Sequence, residues 1–232
     1  MSVPGFPTQT WTGDESGGPS AALIQGPVRI SGAVLGAGAS WHVARDRLGW
    51  TTVVLIARPQ RCEVLGVDAI VRACADRCVD PLTTAHMLAR RCGGMDPAET
   101  GVLRIGPRGQ LVELLNVSLP AMIHWDPRQG IAPFEPVAVA TGYPPDGTVT
   151  EMVRLAPGAV LFAATRGVLP HEAGWQELNE LVSSLAIDRF GGQIADVPPN
   201  ELARLVRSSW TLGDGPAGTI AVGQPPALVQ AA

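Results

Sequence analysis

The first hydrophobic segments of the chain have a composition that predicts β-strands. Two segments are rich in Val, Ile and Thr, namely VRISGAVLGAG at 28–38 and GWTTVVLIA at 49–57. These residue types favour the extended backbone of a sheet. Residues 1–27 are instead rich in Gly, Pro, Ser and Thr, which predicts a flexible lead-in.

The spacing of apolar residues then changes to that of helices. Within 63–78, apolar side chains recur at three- and four-residue intervals, which predicts an amphipathic helix. Asp80-Pro81 supplies an N-cap and a first-turn proline for a second helix that is expected to end near Gly93-Gly94.

The middle of the chain returns to strands. A hairpin is expected across 107–109, followed by a third strand, and a second hairpin across 156–158 joins TVTEMVRL to AVLFAAT. Helices at about 173–186 and 198–209, a last strand at 217–224 and a frayed tail at 224–232 complete the prediction. This order indicates an α+β fold in which helices cover the sheets, as one domain over 28–223.

Composition narrows the classes of function. Of the 232 residues, 46% are hydrophobic and 16% charged, so a sizeable core is available. The net charge of −4 and the lack of a basic run argue against nucleic-acid binding. Neither a signal peptide nor an apolar run long enough for a membrane span is recognisable, so we expect a cytoplasmic protein without membrane attachment. All 17 basic residues are arginine, which removes lysine from any catalytic role.

The four cysteines do not form a CxxC pair. Cys74 and Cys78 lie one helical turn apart, so a zinc site with His86 is conceivable, but reduced core cysteines are the favoured interpretation.

Three segments together resemble the metal-dependent protein phosphatase family (PPM, type 2C), and most of all its bacterial branch in sporulation and stress-response partner switching. LAPGAVLFAATRG, which ends in Thr165-Arg166-Gly167, resembles the family's L-x-P-G-D turn followed by an apolar strand and T-D-G. LLNVSLPAMIHWDPRQG resembles N-A-G-H-P-P and the strand after it: Asn116 and Pro120 match, and the histidine is absent. DPLTTAHMLARRC resembles the helix that follows the first catalytic loop.

The resemblance implies a four-layer αββα sandwich of two mainly antiparallel sheets, with two metal ions in a cleft between the sheets. Such ions activate a water and need carboxylate oxygens as ligands. The sequence departs from the family at each ligand position that can be aligned. The degenerate positions are Ser40, Arg58, Arg166 and Ala217. Arginine stays protonated and cannot ligate a metal, so we expect neither catalytic residues nor a metal cofactor.

Other interpretations stay open. In an alternative register, 64–75 forms the metal-loop strand and preserves Asp68. An active phosphatase that uses Mn or Mg would then draw unconventional ligands from Glu63, Asp68, Asp188 and Asp214. Arg58 and Arg166 could instead clamp an anion. Arg166 could also be an ordinary exposed turn residue, whereas a position inside the cleft requires it to contact a carboxylate, backbone carbonyls or an anion.

The resulting functional prediction is a pseudophosphatase. It would act as a protein-binding regulatory or scaffold module in bacterial signalling, with a signalling protein or a second copy of itself as partner. The alternative is an active serine/threonine phosphatase of the same family.

Overall fold

A computed structural model describes most of the chain in eleven segments. They are residues 9–12, 21–25, 28–35, 38–57, 66–92, 98–126, 128–137, 144–145, 147–169, 174–190 and 217–224.

The strands in these segments are β1 (Gln9–Thr12), β2 (Ala21–Gln25), β3 (Val28–Leu35), β4 (Ala39–Arg45), β5 (Thr51–Ala57), β6 (Glu99–Ile105), β7 (Leu111–Val117), β8 (Ala121–Asp126), β9 (Gly130–Pro133), β10 (Glu151–Arg154), β11 (Val160–Ala164) and β12 (Ala217–Gly223). The helices are α1 (Val67–Asp76), α2 (Pro81–Cys92) and α3 (Trp175–Phe190). None of these helices is both long and apolar enough to cross a membrane.

The strands form two six-stranded sheets whose ladders are antiparallel. The first sheet has the order β1-β4-β5-β6-β7-β10, and the second has the order β2-β3-β12-β11-β8-β9. Helices α1 and α2 contact strands of the first sheet, and α3 contacts β8 of the second.

Three apolar clusters lie between the layers. The largest, with Trp41 and Leu55, fills the space between the two sheets. A second, with Val71 and Leu88, lies between the first sheet and α1 and α2, and a third, with Leu178, lies between the second sheet and α3. The predicted four-layer αββα sandwich is therefore confirmed.

The turn at 155–159 differs from its prediction. Strands β10 and β11 do not pair with each other, because β10 pairs with β7 in the first sheet and β11 pairs with β8 and β12 in the second. The predicted hairpin is wrong. Gly158, with a φ of 82°, allows the sharp turn that carries the chain from one sheet to the other.

Other elements also differ from their predictions. Strands β1 and β2 fall within residues 1–27, where no strand was predicted. Strand β4 was not predicted, and α1 is shorter than the predicted 63–78. The expected helix at 198–209 and the tail beyond Gln224 lie outside the described residues.

The sheets approach most closely where a glycine of one faces a large side chain of the other. A Cβ atom added to Gly32 of β3 would lie 2.6 Å from Cδ2 of Trp41 on β4. Trp41 is fully buried, so its indole has no open space into which it could withdraw.

Gly32→Ala is expected to lower the free energy of unfolding by about 1–3 kcal/mol, because overpacking displaces the indole. Urea unfolding measures this change. Gly106→Ala is the matched control, since the nearest atom to its added Cβ would be 3.4 Å away. Equal losses in the two variants would contradict the close contact between the sheets.

Candidate functional site at the end of the cleft between the sheets

Strand alternation decides which side chains of the first sheet face the cleft. Residues Ala39, Ala57 and Glu99 lie side by side in the register of β4, β5 and β6. They have the same parity as Trp41, Leu55 and Leu103, which belong to the cluster between the sheets. The first sheet therefore contributes two methyl groups and one carboxylate to this end of the cleft.

The second sheet contributes a glycine at the same place. A Cβ atom added to Gly218 would lie 2.9 Å from Cδ1 of Leu55 and 3.6 Å from Cβ of Ala39. The two backbones therefore come close together here, and apolar atoms occupy the space between them.

The turn Thr165-Arg166-Gly167 is fixed to this glycine. The backbone N–H of Thr165 donates to the carbonyl of Gly218 at 2.9 Å, and the N–H of Gly218 donates to Oγ1 of Thr165 at 2.8 Å. Thr165 is fully buried. The threonine of the family-like turn therefore keeps a structural role, and it places the next residue at the mouth of the cleft.

Arg166 reaches from this turn to Glu99 of the first sheet. Its backbone N–H donates to Oε2 of Glu99 at 2.7 Å, and its Nε lies 3.5 Å from Oε1. Arg166 therefore has a carboxylate as its partner, one of the three kinds of partner expected of an arginine inside the cleft. Its side chain is nevertheless 56% exposed, whereas that of Glu99 is only 15% exposed. Arg166 therefore lies at the rim of the cleft and not in its interior.

Sequence reasoning missed Glu99. Burial raises the pKa of this carboxyl group, and the hydrogen bond and charge of Arg166 oppose that shift. Its position at the start of an apolar strand is visible in the sequence, but its proximity to Arg166 depends on a contact between the two sheets.

Ser40 faces away from the cleft. Its Oγ shares a hydrogen bond of 2.8 Å with Nε2 of His42, which lies on the same face of β4. Burial lowers the pKa of His42 to about 4, and the charge of Asp68, on α1, opposes this shift. The pair therefore lies under the helix layer, and the neighbouring Ala39 faces the cleft instead.

Ala217, another residue of the predicted site, also faces away from the cleft. Ala217 belongs to the cluster beneath α3, and Gly218 takes the position that faces the first sheet. Arg58 lies outside the described residues, so its approach to Arg166 stays a prediction. Whether Ser40, Arg166 and Ala217 descend from ligand positions also stays a prediction.

The Asn116 segment forms a compact loop between the two sheets. Oδ1 of Asn116 accepts the N–H of Leu119 at 3.0 Å, and Nδ2 donates to the carbonyl of Phe134 at 2.8 Å. Ser118 has a φ of 60°, a conformation that glycine adopts more readily. Leu119 is fully buried, with Cδ1 2.7 Å from where a Cβ of Gly101 would lie. Asn116, which matches the family motif, is therefore followed by an apolar contact between Leu119 and Gly101.

These residues do not fit a pair of hard cations. Such ions need several oxygen ligands, and Glu99 is the one carboxylate that we find facing this end of the cleft among the described residues. Within the same segments, no group of three His, Cys, Asp or Glu side chains could hold a metal ion, and this includes Cys74, Cys78 and His86. Sγ of Cys74 instead donates to Sδ of Met87 at 3.6 Å.

The structure does not bring together Asp68 and Asp188, the two described residues among the ligands that an active phosphatase would use. Asp68 lies in the first turn of α1, so the register that made 64–75 a strand is wrong. Asp188 lies on α3, in the opposite outer layer of the sandwich. Glu63 and Asp214 lie outside the described residues.

Comparison with solved structures identifies the architecture. RsbX in complex with magnesium superposes with a TM-score of 0.63 at 12% identity, over 89% of this chain and 100% of that chain. The PP2C phosphatase domain of SpoIIE from Bacillus subtilis, with a fragment of its regulatory domain, gives a TM-score of 0.63 at 11% identity, over 94% and 70% of the two chains. This chain has the fold of the PP2C phosphatases.

The PP2C fold also relates the chain to a larger protein. The RsbU and RsbW domains of a Mycobacterium tuberculosis protein superpose with a TM-score of 0.66 at 15% identity, over 90% of this chain and 63% of that chain. No protein-family model and no curated protein matches the sequence significantly. At these identities the likeness establishes the fold, while the chemistry depends on the residues of the cleft.

Removing Glu99 is expected to cost more stability than removing Arg166. Glu99→Ala loses both the ion pair and the acceptor for the Arg166 N–H, about 1–3 kcal/mol. Arg166→Ala keeps the backbone bond and loses a half-exposed ion pair, about 0–1 kcal/mol. Urea unfolding of both variants and of the double variant measures the difference. A larger loss for Arg166→Ala would show that the guanidinium, and not the N–H, is the main contact.

Acid is expected to destabilise the fold through His42. Unfolded histidine takes up a proton below pH 6.5, whereas folded His42 does so only near pH 4, so the free energy of unfolding falls as the pH falls through this interval. The full effect is about 3 kcal/mol. His42→Gln should lose less stability than the wild type between pH 7 and pH 4 in urea unfolding. Parallel pH profiles would contradict this assignment.

Proposed function

We propose that this protein is a catalytically inactive member of the PP2C-fold group, a pseudophosphatase that acts by binding a protein partner in bacterial cytoplasmic signalling. The observation that carries the proposal is the composition of the cleft end. Two alanines, one glycine and an arginine–glutamate pair occupy the region that the family resemblance assigns to metal ligands.

The electrostatics of this region support the proposal. A divalent cation near Glu99 would meet the positive charge of Arg166, and the guanidinium cannot give up its proton to become a ligand. With one carboxylate, the cleft end would leave most of the coordination shell of a hard cation to water. Without bound metal, the residues that the structure describes at this end of the cleft include no group that could lower the pKa of an attacking water.

The structural neighbours support a regulatory setting. They include the RsbU and RsbW domains of one protein, SpoIIE, described as a cell fate determinant, and a protein of the bacterial stressosome. We extend this setting to the present chain, with a signalling protein as partner and without a metal cofactor. A homodimer remains a second form of the same proposal.

Anion binding at the rim is a weaker candidate. Arg166 is half exposed, but Glu99 already lies against its Nε, so an incoming anion would have to compete with a carboxylate. The active-phosphatase alternative would need ligands from outside the described residues, such as Glu63 and Asp214.

We expect no release of phosphate from p-nitrophenyl phosphate or from a phosphoserine peptide with Mn²⁺ or Mg²⁺ present. Arg166→Asp alone should not create activity, because Ala39, Ala57 and Gly218 still supply no ligand. Steady-state assays against a metal-free blank measure both. Metal-dependent turnover that is lost in Asp68→Ala or Asp214→Ala would overturn the proposal in favour of the active phosphatase.

A further inference from the structure

Two strands of the first sheet carry exposed apolar side chains at the end that lies opposite the candidate site. Leu111 is 41% exposed and Met152 67%, and Trp50 lies beside Leu111, partly exposed. Single exposed leucines are common on protein surfaces, but a contiguous group marks an interaction surface. We refer to Trp50, Leu111 and Met152 as the apolar patch.

The patch is contiguous on the outer face of the sheet. A Cβ atom added to Gly106 would lie 3.7 Å from both Cβ of Leu111 and Cη2 of Trp50. Leu111 pairs in register with Arg154, and Met152 with Glu113, so these four side chains share one face. On that face, Leu115 lies farther along β7 and already packs beneath the helix layer. The patch therefore begins where the helices stop covering the sheet.

A network of polar contacts centred on Arg104 lies beside the patch. The guanidinium of Arg104 stacks on the ring of Trp50 with its Cζ 4.4 Å from the ring centroid. It also pairs with Asp46 and Glu113, each at 3.4 Å. Asp46 and Glu113 thus share one guanidinium, which belongs to a residue that is itself mostly buried.

The rim of the patch carries arginines that take no part in these ion pairs. Arg47, Arg108 and Arg154 are exposed, and none belongs to an ion pair within the described residues. Arg47 and Arg108 come from adjacent turns, since a Cβ on Gly49 would lie 3.3 Å from Cβ of Pro107. The chain as a whole has a net charge of −4, so this positive rim is a local feature.

We propose that the apolar patch docks an acidic amphipathic helix of a partner protein. The apolar face of such a helix, with anchors at i, i+3, i+4 and i+7, would cover the patch, and its flanking carboxylates would face the three arginines. The inference rests on the proposed protein-binding function for the nature of the partner, but it does not depend on whether the cleft is inactive.

The same charges argue against other occupants. A second copy docked about a two-fold axis would bring two sets of these arginines together, and like charges repel. Attachment to an anionic membrane usually needs a cluster of about 4–8 basic residues, more than the three at this rim.

Two synthetic helical peptides test the proposal directly. Both carry leucine at the anchor positions, one with glutamate and the other with lysine on the flanks. We expect the glutamate peptide to bind the full-length protein in fluorescence anisotropy and the lysine peptide not to bind. Met152→Asp should abolish binding of the glutamate peptide, and Arg154→Glu should weaken it roughly tenfold.

A charge-matched variant on the opposite sheet serves as the control. Arg29→Glu makes the same charge change on an exposed residue of β3 and should leave binding unchanged. Circular dichroism melts of all variants check that each one folds. Because the assay needs no hydrolysis, its outcome is separate from that of the phosphatase assay.

Three results would overturn the proposal. The first is equal binding of the two peptides, or binding of neither at millimolar concentration. The second is a dimer in sedimentation equilibrium that Met152→Asp converts to a monomer, which would assign the patch to a second copy. The third is co-sedimentation with phosphatidylserine vesicles that is lost in the same variant.

Discussion

The carboxylate of Glu99 joins the two sheets at the mouth of the cleft. It accepts the backbone N–H of Arg166 at 2.7 Å, and Arg166 follows directly from a threonine that is itself hydrogen-bonded to Gly218. One acid at the start of β6 thus fixes the end of β11, and through Thr165 it also fixes the start of β12. This continuous set of contacts defines the geometry of the candidate site.

The residues behind this ion pair are small, which allows the two sheets to lie close together. Because Glu99 and Arg166 hold the sheets together at the rim, small residues behind them allow the backbones to approach, as Gly218 does against Leu55. A metal centre would instead require carboxylates and coordinated water at this level of the sandwich. We therefore interpret the site as one in which an ion pair and apolar contacts perform the structural role of bridging the sheets. The protein-binding surface that we propose lies at the other end, about 20 Å away along β6.

Much of the sandwich could be predicted from the sequence, because its strands are local patterns. The hairpin of β6 and β7, the last strand and the two helices after β5 follow from apolar spacing and from turn and capping residues. Strand β4 was missed although Ala39, Trp41 and Val43 alternate with Ser40 and His42, a pattern typical of a strand. The turn at Pro157-Gly158 was misinterpreted, because the same two residues suit a hairpin and a crossover between sheets.

The candidate site was predictable only in part. Thr165-Arg166-Gly167 was recognised from its motif, and its need for a carboxylate, carbonyl or anion partner inside the cleft follows from the charge of arginine. The identity of that partner does not, because Glu99 and Arg166 are far apart in sequence and meet only when two different sheets pack. Likewise, a shift of one residue along a strand reverses the face that a side chain presents, so Ser40 and Ala217 were chosen where Ala39 and Gly218 face the cleft.

Anomalous diffraction from crystals soaked in Mn²⁺ tests the central claim most directly. The account predicts no anomalous peak between the sheets near Glu99, with the contact between Glu99 and Arg166 unchanged. A manganese peak in the cleft, ligated by Glu99 or by carboxylates from the rest of the chain and accompanied by a displaced Arg166, would contradict it.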